Sequence, residues 1–344
     1  MAHLQLGPCP PRLASLKEQI ATLYPDFEEH VTRAWDDLLG ELKTTTEDIA
    51  RLGPDIVPQV EFNDLQKLSQ TEIAAIRKRG CVVVRNVVDD SEALYWKSDL
   101  REHVKANPDV PGNWTKSQVR ARSHPNVLAA TAWMNNMYHT KSDTKIKDVD
   151  LSAPLSYADR FRMRSPGTQW VVHPPHVDGG AIERWEDETY RNCFTDILNG
   201  NWRKHDPYDA VRRIDARKTM EGKENQVYGF DSADPSAMAV DIFFSTGYSI
   251  SNLSRLALIE DVIHAVEVEH TGEGDSSVMY IPAVPYTPHN NAYIMKQKES
   301  FLQGTPPADY PQTGSETNFT GTGKPEDIGS SVGRTAMGFT SEAA

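Results

Sequence analysis

The spacing of apolar residues divides the chain into a helical beginning and a strand-rich remainder. Between Leu13 and Leu52, apolar residues recur every three or four positions, which is typical of amphipathic helices, and Pro25 separates two of them. Further along, β-branched runs such as Cys81–Val84 and Ser277–Pro282 indicate buried strands. The pattern predicts helices packed around a body made mostly of strands.

One predicted strand carries an unusual row of charges. Arg160, Arg162 and Arg164 alternate with Phe161 and Met163, so three arginines share one face. Guanidinium groups held on a partly buried face are unfavourable unless anions or carboxylates pair with them. This strand is therefore a candidate anion-binding element.

The stretch that follows contains His176 and Asp178. Residues two apart on a β-strand point to the same face, so both side chains can reach one metal ion. The apolar run Trp170–Val172 and the pair Gly179-Gly180 flank them, as expected of a buried strand that ends in a tight turn. Two such ligands and a distant histidine make the facial triad of non-haem iron(II) oxygenases. The alternative is a histidine and an aspartate that cap a turn.

Three downstream histidines are candidates for the third ligand. His289 lies in a turn sequence, and His270 precedes Thr-Gly-Glu-Gly at a strand end, so capping or surface roles suit them better. His264 lies in the apolar strand sequence Asp261–Glu267. A lone histidine on such a strand is often a core residue, but the upstream His-x-Asp favours His264 as a ligand.

Composition excludes several classes of function. A net charge of −13 argues against nucleic acid or an anionic membrane as the main partner. The three cysteines, Cys9, Cys81 and Cys193, are widely spaced, which suits a reducing compartment better than a disulfide framework. With no run of eighteen apolar residues and no apolar leader, we expect a soluble cytoplasmic protein whose oligomeric state stays open.

Four longer motifs carry a resemblance to a known family. The segments PLSYADRFRMRSPG, PHVDGGAIERW, NGNWRKHDPYDAVRR and DSSVMYIPAVP resemble the YbiU-like domain-of-unknown-function family of fungi and bacteria. That family is similar to the iron(II)/2-oxoglutarate-dependent oxygenases. The resemblance implies a mainly β fold, a double-stranded β-helix (jelly-roll) barrel flanked by helices. It divides the chain into a helical extension (1–55), an oxygenase-like domain (56–303) with a helical insertion (186–219), and a loop-rich tail (304–344).

The same resemblance implies a chemistry. Iron(II) would be held by His176, Asp178 and His264, with 2-oxoglutarate as co-substrate, and dioxygen would serve to hydroxylate or desaturate a small organic substrate. Many relatives place a basic residue shortly after the distal histidine, where it pairs with the 2-oxoglutarate carboxylate. The corresponding window here, 274–279, contains none. The expected 2-oxoglutarate contacts are instead Arg164, Arg162, Arg122, Ser277 and Tyr280.

Residues 218–263 depart from the family pattern, because a shorter segment stands where family members carry a longer one. We expect this part of the barrel wall to be irregular and to leave either an unpaired edge or a cleft open to solvent near His264. Two alternatives follow. One is a catalytically impaired oxygenase-fold protein that acts as a binding module, and the other is a hydrolase or isomerase that uses the same ligands without oxygen. The substrate itself is not encoded in any motif.

Overall fold

The computed structural model describes residues 11–108, 112–139, 149–169, 182–210, 240–245, 254–258, 269–307, 316, 319 and 321–339. Its α-helices are α1 (Pro11–Ala14), α2 (Leu16–Ala21), α3 (Phe27–Leu52), α4 (Gln70–Arg79), α5 (Asp90–Ala106), α6 (Lys116–Ser123), α7 (Pro125–Asn135), α8 (Glu188–Cys193), α9 (Thr195–Leu198), α10 (Pro288–Gln303) and α11 (Ser331–Ala336). Its strands are β1 (Gln59–Glu61), β2 (Cys81–Arg85), β3 (Asp150–Ser156), β4 (Phe161–Arg164), β5 (Val240–Ser245), β6 (Ser254–Leu258) and β7 (Ser276–Tyr286).

All seven strands belong to one mixed sheet with the order β1-β2-β6-β5-β7-β3. Among the strands that the structure describes, only β1 and β2 pair in parallel, and the other pairs are antiparallel. The long strand β7 is the organising element, because β5 lies along one side of it while β3 and β4 follow each other along the other. The Tyr280 N–H donates to the Arg160 carbonyl (3.1 Å), so this edge stays bonded between β3 and β4.

The predicted mainly β jelly-roll is wrong. In the part of the chain that the structure describes, the sheet is open, and helical residues far outnumber strand residues. Helices rather than a second sheet bury the apolar face. Helix α7 shows why the pattern misled, since its side chains are buried on nearly every side and it lacks the one-sided apolar stripe that marks a surface helix.

One of the two outcomes expected for the departing segment, an unpaired edge, is not found among the described strands. Strands β5 and β6 lie inside the sheet, each paired on both sides, so neither is an unpaired edge. The edges are formed by β1 at one end and by β3 with β4 at the other.

The main core lies on one face of the sheet, which we call the core face. Helices α4, α5 and α7 cover it with side chains that include Ile76, Trp96, Leu100 and Met134. The indole N–H of Trp133, a polar group inside this core, donates a hydrogen bond to the Leu65 carbonyl (3.1 Å).

Sequence-encoded caps set the ends of the helices that cover this core. At the start of α4, the Glu72 N–H donates to the Ser69 hydroxyl (3.3 Å), and the Ser69 N–H donates back to the Glu72 carboxylate (2.7 Å). At its end, Gly80 adopts φ +69°, a left-handed conformation that glycine takes without a steric penalty.

The two ends of the chain pack on different parts of this body. Leu13, Leu16 and Ile20 form a small core with Leu198 of α9, so the helical extension rests on the insertion rather than on the sheet. At the other end, residues 325–339 of the predicted loop-rich tail contain a 3-10 turn and α11. A core that includes Phe301 buries Ile328, Met337 and Phe339 of this segment.

None of the helices that the structure describes combines the length and apolar character needed to cross a lipid bilayer.

Candidate functional site

The predicted row of arginines exists, on the sheet face opposite the core. Phe161 and Met163 pack against the main core, so the alternating Arg160, Arg162 and Arg164 face the other way. We call this the arginine face. Residues directly opposite each other in an antiparallel pair share a face. Arg162 pairs with Val278, which places the alternating neighbour Tyr280 on the arginine face as well.

The solvent exposure of the three arginines decreases from Arg160 to Arg164. The Arg160 side chain is 54% exposed, Arg162 is half-buried, and Arg164 is only 7% exposed. One Nη of Arg164 donates to the Thr168 carbonyl (3.1 Å), which holds the guanidinium against the turn after β4. The most buried positive charge therefore lies nearest the turn that leads towards His176.

Tyr280 lies between two of these charges. The guanidinium carbons of Arg160 and Arg162 are 5.7 Å and 5.9 Å from its ring centroid, within the range of cation–π attraction. Burial lowers the pKa of Arg162; Tyr280 opposes this effect, and the positive charges of Arg164 and Arg160 reinforce it. An anion on this face would counteract both the burial and the mutual repulsion.

Two of the predicted 2-oxoglutarate contacts lie elsewhere. Ser277 pairs with Met163, so its side chain is on the core face, away from the arginines. Arg122 lies on α6 rather than on a strand and is 1% exposed. Its guanidinium is 5.4 Å from the Trp114 ring centroid and donates to the Asn113 carbonyl, so its described contacts belong to the start of its own helix.

An isolated antiparallel bridge joins the two chain segments that lead to the predicted metal ligands. Gln169 pairs with Glu269. The Gly167 N–H donates to the His270 carbonyl (3.0 Å), and the His270 N–H donates to the Thr168 carbonyl (3.3 Å). The chain continues from Gln169 towards His176, and it reaches Glu269 five residues after His264. Both predicted ligand segments therefore start from one place, beside Arg164.

The three predicted ligands, His176, Asp178 and His264, lie outside the described residues. Within the described ranges, no group of three or more His, Cys, Asp or Glu side chains is arranged to hold a metal ion. His270 and His289, which the sequence analysis rejected as metal ligands, make other contacts or lie elsewhere. The His270 ring hydrogen bonds to the Gly274 carbonyl (2.7 Å), and His289 lies in the first turn of α10, whose N-cap is Thr287.

One set of supporting contacts had no signal in the sequence. Asp275, immediately before β7, accepts two hydrogen bonds from Arg101 of α5 through one carboxylate oxygen (2.8 and 3.1 Å). Lys97 donates to the Asp275 carbonyl (2.8 Å), and burial lowers the pKa of this amine. These contacts join residues more than 170 positions apart, so no local pattern predicts them. They fix the loop that follows the Gln169–Glu269 bridge.

Comparison with known proteins shows the family to which the chain belongs. The Gig2-like family matches residues 7–228 and 258–339, and the gap between the two spans falls inside the predicted departure at 218–263. YbiU of Escherichia coli (strain K12) is 23% identical over 372 residues, which cover 85% of this chain and 88% of YbiU.

Solved structures share the fold. Escherichia coli protein JW0805 superposes with a TM-score of 0.78 at 21% identity, covering 97% of this chain and 98% of that one. A Salmonella typhimurium LT2 protein described as a candidate oxidoreductase gives the same TM-score and coverage at 20% identity. GlcNAc Inducible Gene 2 (GIG2) of Candida albicans gives 0.75 at 23% identity, covering 97% and 90%. These matches confirm the predicted relation to YbiU, and the chain belongs to the Gig2-like family.

Proposed function

We propose that this chain is an oxidoreductase that uses iron(II) and 2-oxoglutarate, with the metal held by His176, Asp178 and His264. The observation that carries the proposal is the position of the arginine face beside the Gln169–Glu269 bridge. It joins an anion-binding surface to the starting points of both predicted ligand segments. The description of the Salmonella typhimurium LT2 protein as a candidate oxidoreductase agrees with this class of reaction.

The segments between the bridge and the predicted histidine ligands are long enough for those ligands to meet at one metal ion. His176 follows Gln169 by seven positions, and Glu269 follows His264 by five. An extended chain covers about 3.3–3.6 Å per residue, so both segments can bring a ligand nitrogen to a common point near the bridge. Two imidazoles and one carboxylate form the donor set that suits iron(II) with open coordination positions.

The arginine face fits a dicarboxylate co-substrate. A guanidinium has five N–H donors in a planar fork that matches a carboxylate, and Arg164 presents this fork from an almost fully buried position. Such a local charge is required because the chain as a whole carries −13 and repels anions. Arg162 and the Tyr280 hydroxyl lie on the same face and can add contacts to the same ligand. Ser277 is excluded from this role by its place on the core face.

Bound iron and 2-oxoglutarate would supply the oxidising power, using dioxygen and releasing succinate and carbon dioxide. The protein's own part is to position and to shield. Arg164 orients the co-substrate carboxylate, and the Thr168 carbonyl holds Arg164 in place. The buried Val278 is directly opposite Arg162 on the arginine face and adds apolar surface beside its guanidinium, which strengthens charge interactions there.

The test is succinate formation by the purified full chain with iron(II), 2-oxoglutarate and air. We expect slow turnover even without a primary substrate, and we expect His264→Ala to abolish it while His270→Ala retains it. If the wild-type chain forms no succinate yet binds 2-oxoglutarate, the binding-module alternative replaces the proposal. Equal turnover by wild type and His264→Ala would show that the metal site is wrongly assigned.

A further inference from the structure

The chain between β3 and β4 contains one residue more than the stretch of β7 that it lies beside. Ser156, at the end of β3, pairs with Ala283, and Phe161, at the start of β4, pairs with Met279. Ser156 and Phe161 are five positions apart, whereas Met279 and Ala283 are four positions apart on β7. An extra residue opposite a continuous strand is a β-bulge. We call residues 157–160 the β3–β4 bulge.

The bulge reverses which side chains of this edge face the core. On β3, Ser156 is opposite Ala283, a residue of the main core, so an even-numbered position faces the core. On β4, which follows the bulge, the odd-numbered Phe161 and Met163 pack against that core instead. Without the extra residue, the period of two would continue, and the even-numbered arginines would face the core. The bulge therefore sets the face on which the three arginines lie.

A buried glutamine holds the start of the bulge. Gln297 lies on α10 and is 2% exposed. Its amide nitrogen donates to the Ser156 carbonyl (2.9 Å), and its amide oxygen accepts from the Ala158 N–H (2.6 Å). Ser156 and Ala158 are themselves buried, so both backbone groups need a partner inside the protein. One side-chain amide supplies both partners, because it carries a donor and an acceptor.

A second glutamine holds the end of the bulge, but it also serves its own helix. The amide nitrogen of Gln118, on α6, donates to the Asp159 carbonyl (2.9 Å). Its amide oxygen accepts from the Thr115 N–H (3.1 Å) and hydroxyl (2.8 Å), in the capping box of α6. Replacing Gln118 would therefore disturb α6 as well. Both described side-chain hydrogen bonds of Gln297 go to the backbone around the bulge, which makes Gln297 the residue to test.

Helix α10 lies on the same side of the sheet as the arginines. Ile294, one turn before Gln297, packs with Leu155 and Val284. Val284 is four positions from Tyr280 on β7, so both side chains are on the same face of the sheet. The arginine face and the helix that holds the bulge are therefore neighbours.

We infer that Gln297 is a positioning residue for the arginine face and acts through the bulge. The inference rests on the proposed function, because the anion that it concerns is 2-oxoglutarate. Without the Gln297 amide, two buried backbone groups lose their partner, so the bulge must rearrange or admit water. Either change moves the start of β4, and with it Arg162 and Arg164, relative to a bound carboxylate. A displacement of about 1 Å is enough to weaken such a contact.

The first test compares succinate formation by Gln297→Met and by the wild-type chain, each with iron(II). Methionine keeps the length of the side chain and removes both hydrogen bonds. We expect the KM for 2-oxoglutarate to rise about tenfold, and kcat at saturating 2-oxoglutarate to change by less than about threefold. Gln303→Met makes the same change at the exposed last residue of α10 and should behave as wild type. Activity that falls in Gln297→Met with an unchanged KM would mean that Gln297 supports only the fold, and would overturn the inference.

A double-variant experiment tests whether Gln297 acts through the arginines. In an Arg164→Ala background, Gln297→Met should raise the KM for 2-oxoglutarate by no more than about twofold, because the guanidinium that it positions is already absent. A further increase of about tenfold in this background would show that the two residues act independently, and would overturn the inference.

Hydrogen exchange of the full chain, without iron or 2-oxoglutarate, separates this inference from the proposed function. Gln297→Met should speed exchange of the backbone amides of residues 158–164 at least about fivefold and leave β2 unchanged. Gln303→Met should alter neither region. Unchanged exchange at 158–164 in Gln297→Met overturns the inference, whatever the chain catalyses. A wild type that forms no succinate overturns the proposed function, and the exchange rates then still decide whether Gln297 fixes the bulge.

Discussion

Gln169 and Glu269, one hundred residues apart in the chain, pair in a single antiparallel bridge at the end of the arginine face. The pairing is isolated, but hydrogen bonds among Gly167, Thr168 and His270 extend it. This bridge determines where the neighbouring chain segments begin and end. Every predicted iron ligand belongs to a segment that begins or ends at this bridge, and Arg164 lies beside it through Thr168. The bridge and Arg164 are thus the described residues that lie next to the proposed site.

The buried arginine should control 2-oxoglutarate binding. Arg164→Ala removes the guanidinium that faces the site, and we expect the apparent KM for 2-oxoglutarate to rise roughly 10- to 100-fold, the range for loss of a hydrogen bond to a charged group. Iron(II) affinity should not change. Arg160→Ala is the matched control, because its side chain is on the same face but largely exposed. Steady-state succinate formation measures both variants, and an unchanged KM in Arg164→Ala would exclude this residue as the carboxylate partner.

Iron binding should depend on Asp178 and not on His270. Asp178→Ala deletes the only carboxylate of the predicted triad, so anaerobic calorimetry with iron(II) should show no binding. His270→Ala should bind normally, because the His270 ring is already hydrogen bonded to the Gly274 carbonyl at a loop. Full iron affinity in Asp178→Ala would contradict the triad.

Local patterns predicted the elements better than the architecture. The strand β2, and the helices α2 and α3 on either side of Pro25, follow from short-range spacing. The sheet order could not be predicted, since it depends on pairings such as β2 with β6 between residues about 170 positions apart. The helical covering of the core face also had no periodic signal, because α7 is buried on nearly all sides.

In the candidate site, too, the features that follow from local spacing were predicted correctly, and those that depend on distant contacts were not. Alternation along β4 correctly placed the three arginines on one face, because a strand has a fixed period of two. Ser277 and Tyr280 were chosen for their hydroxyls, although residues three apart on a strand point to opposite faces. The register with β4 shows that Tyr280 is the one on the arginine face. Arg122 was expected among the 2-oxoglutarate contacts, but it lies on helix α6, which the Thr115 capping box starts.

A buried glutamate should stabilise the C-terminal segment. The Glu316 carboxylate, on a residue 3% exposed, accepts hydrogen bonds from the backbone N–H groups of Asn113 and Trp114 and from the Asn113 side chain. Glu316→Ala leaves these buried donors without an acceptor, so we expect a loss of about 2–4 kcal/mol in the free energy of unfolding. Urea denaturation measures it. Glu326→Ala, at an exposed position in the same segment, should change stability by less than about 0.5 kcal/mol.

Acid should loosen the attachment of α3 through Asp37. Hydrogen bonds from the Arg203 guanidinium hold the pKa of this carboxyl below its ordinary value, and the Trp202 indole adds to the effect. Because the folded-state pKa is the lower one, the contribution to stability is present above the unfolded pKa, about 3.9, and is lost as pH falls through the folded value. Asp37→Asn removes this dependence. We therefore expect the difference in melting temperature between wild type and Asp37→Asn to favour wild type at pH 7 and to shrink towards pH 2. Asp36→Asn, the exposed neighbour, should show no such convergence with wild type. A constant difference for Asp37→Asn across this range would show that the ion pair with Arg203 does not hold the helix in solution.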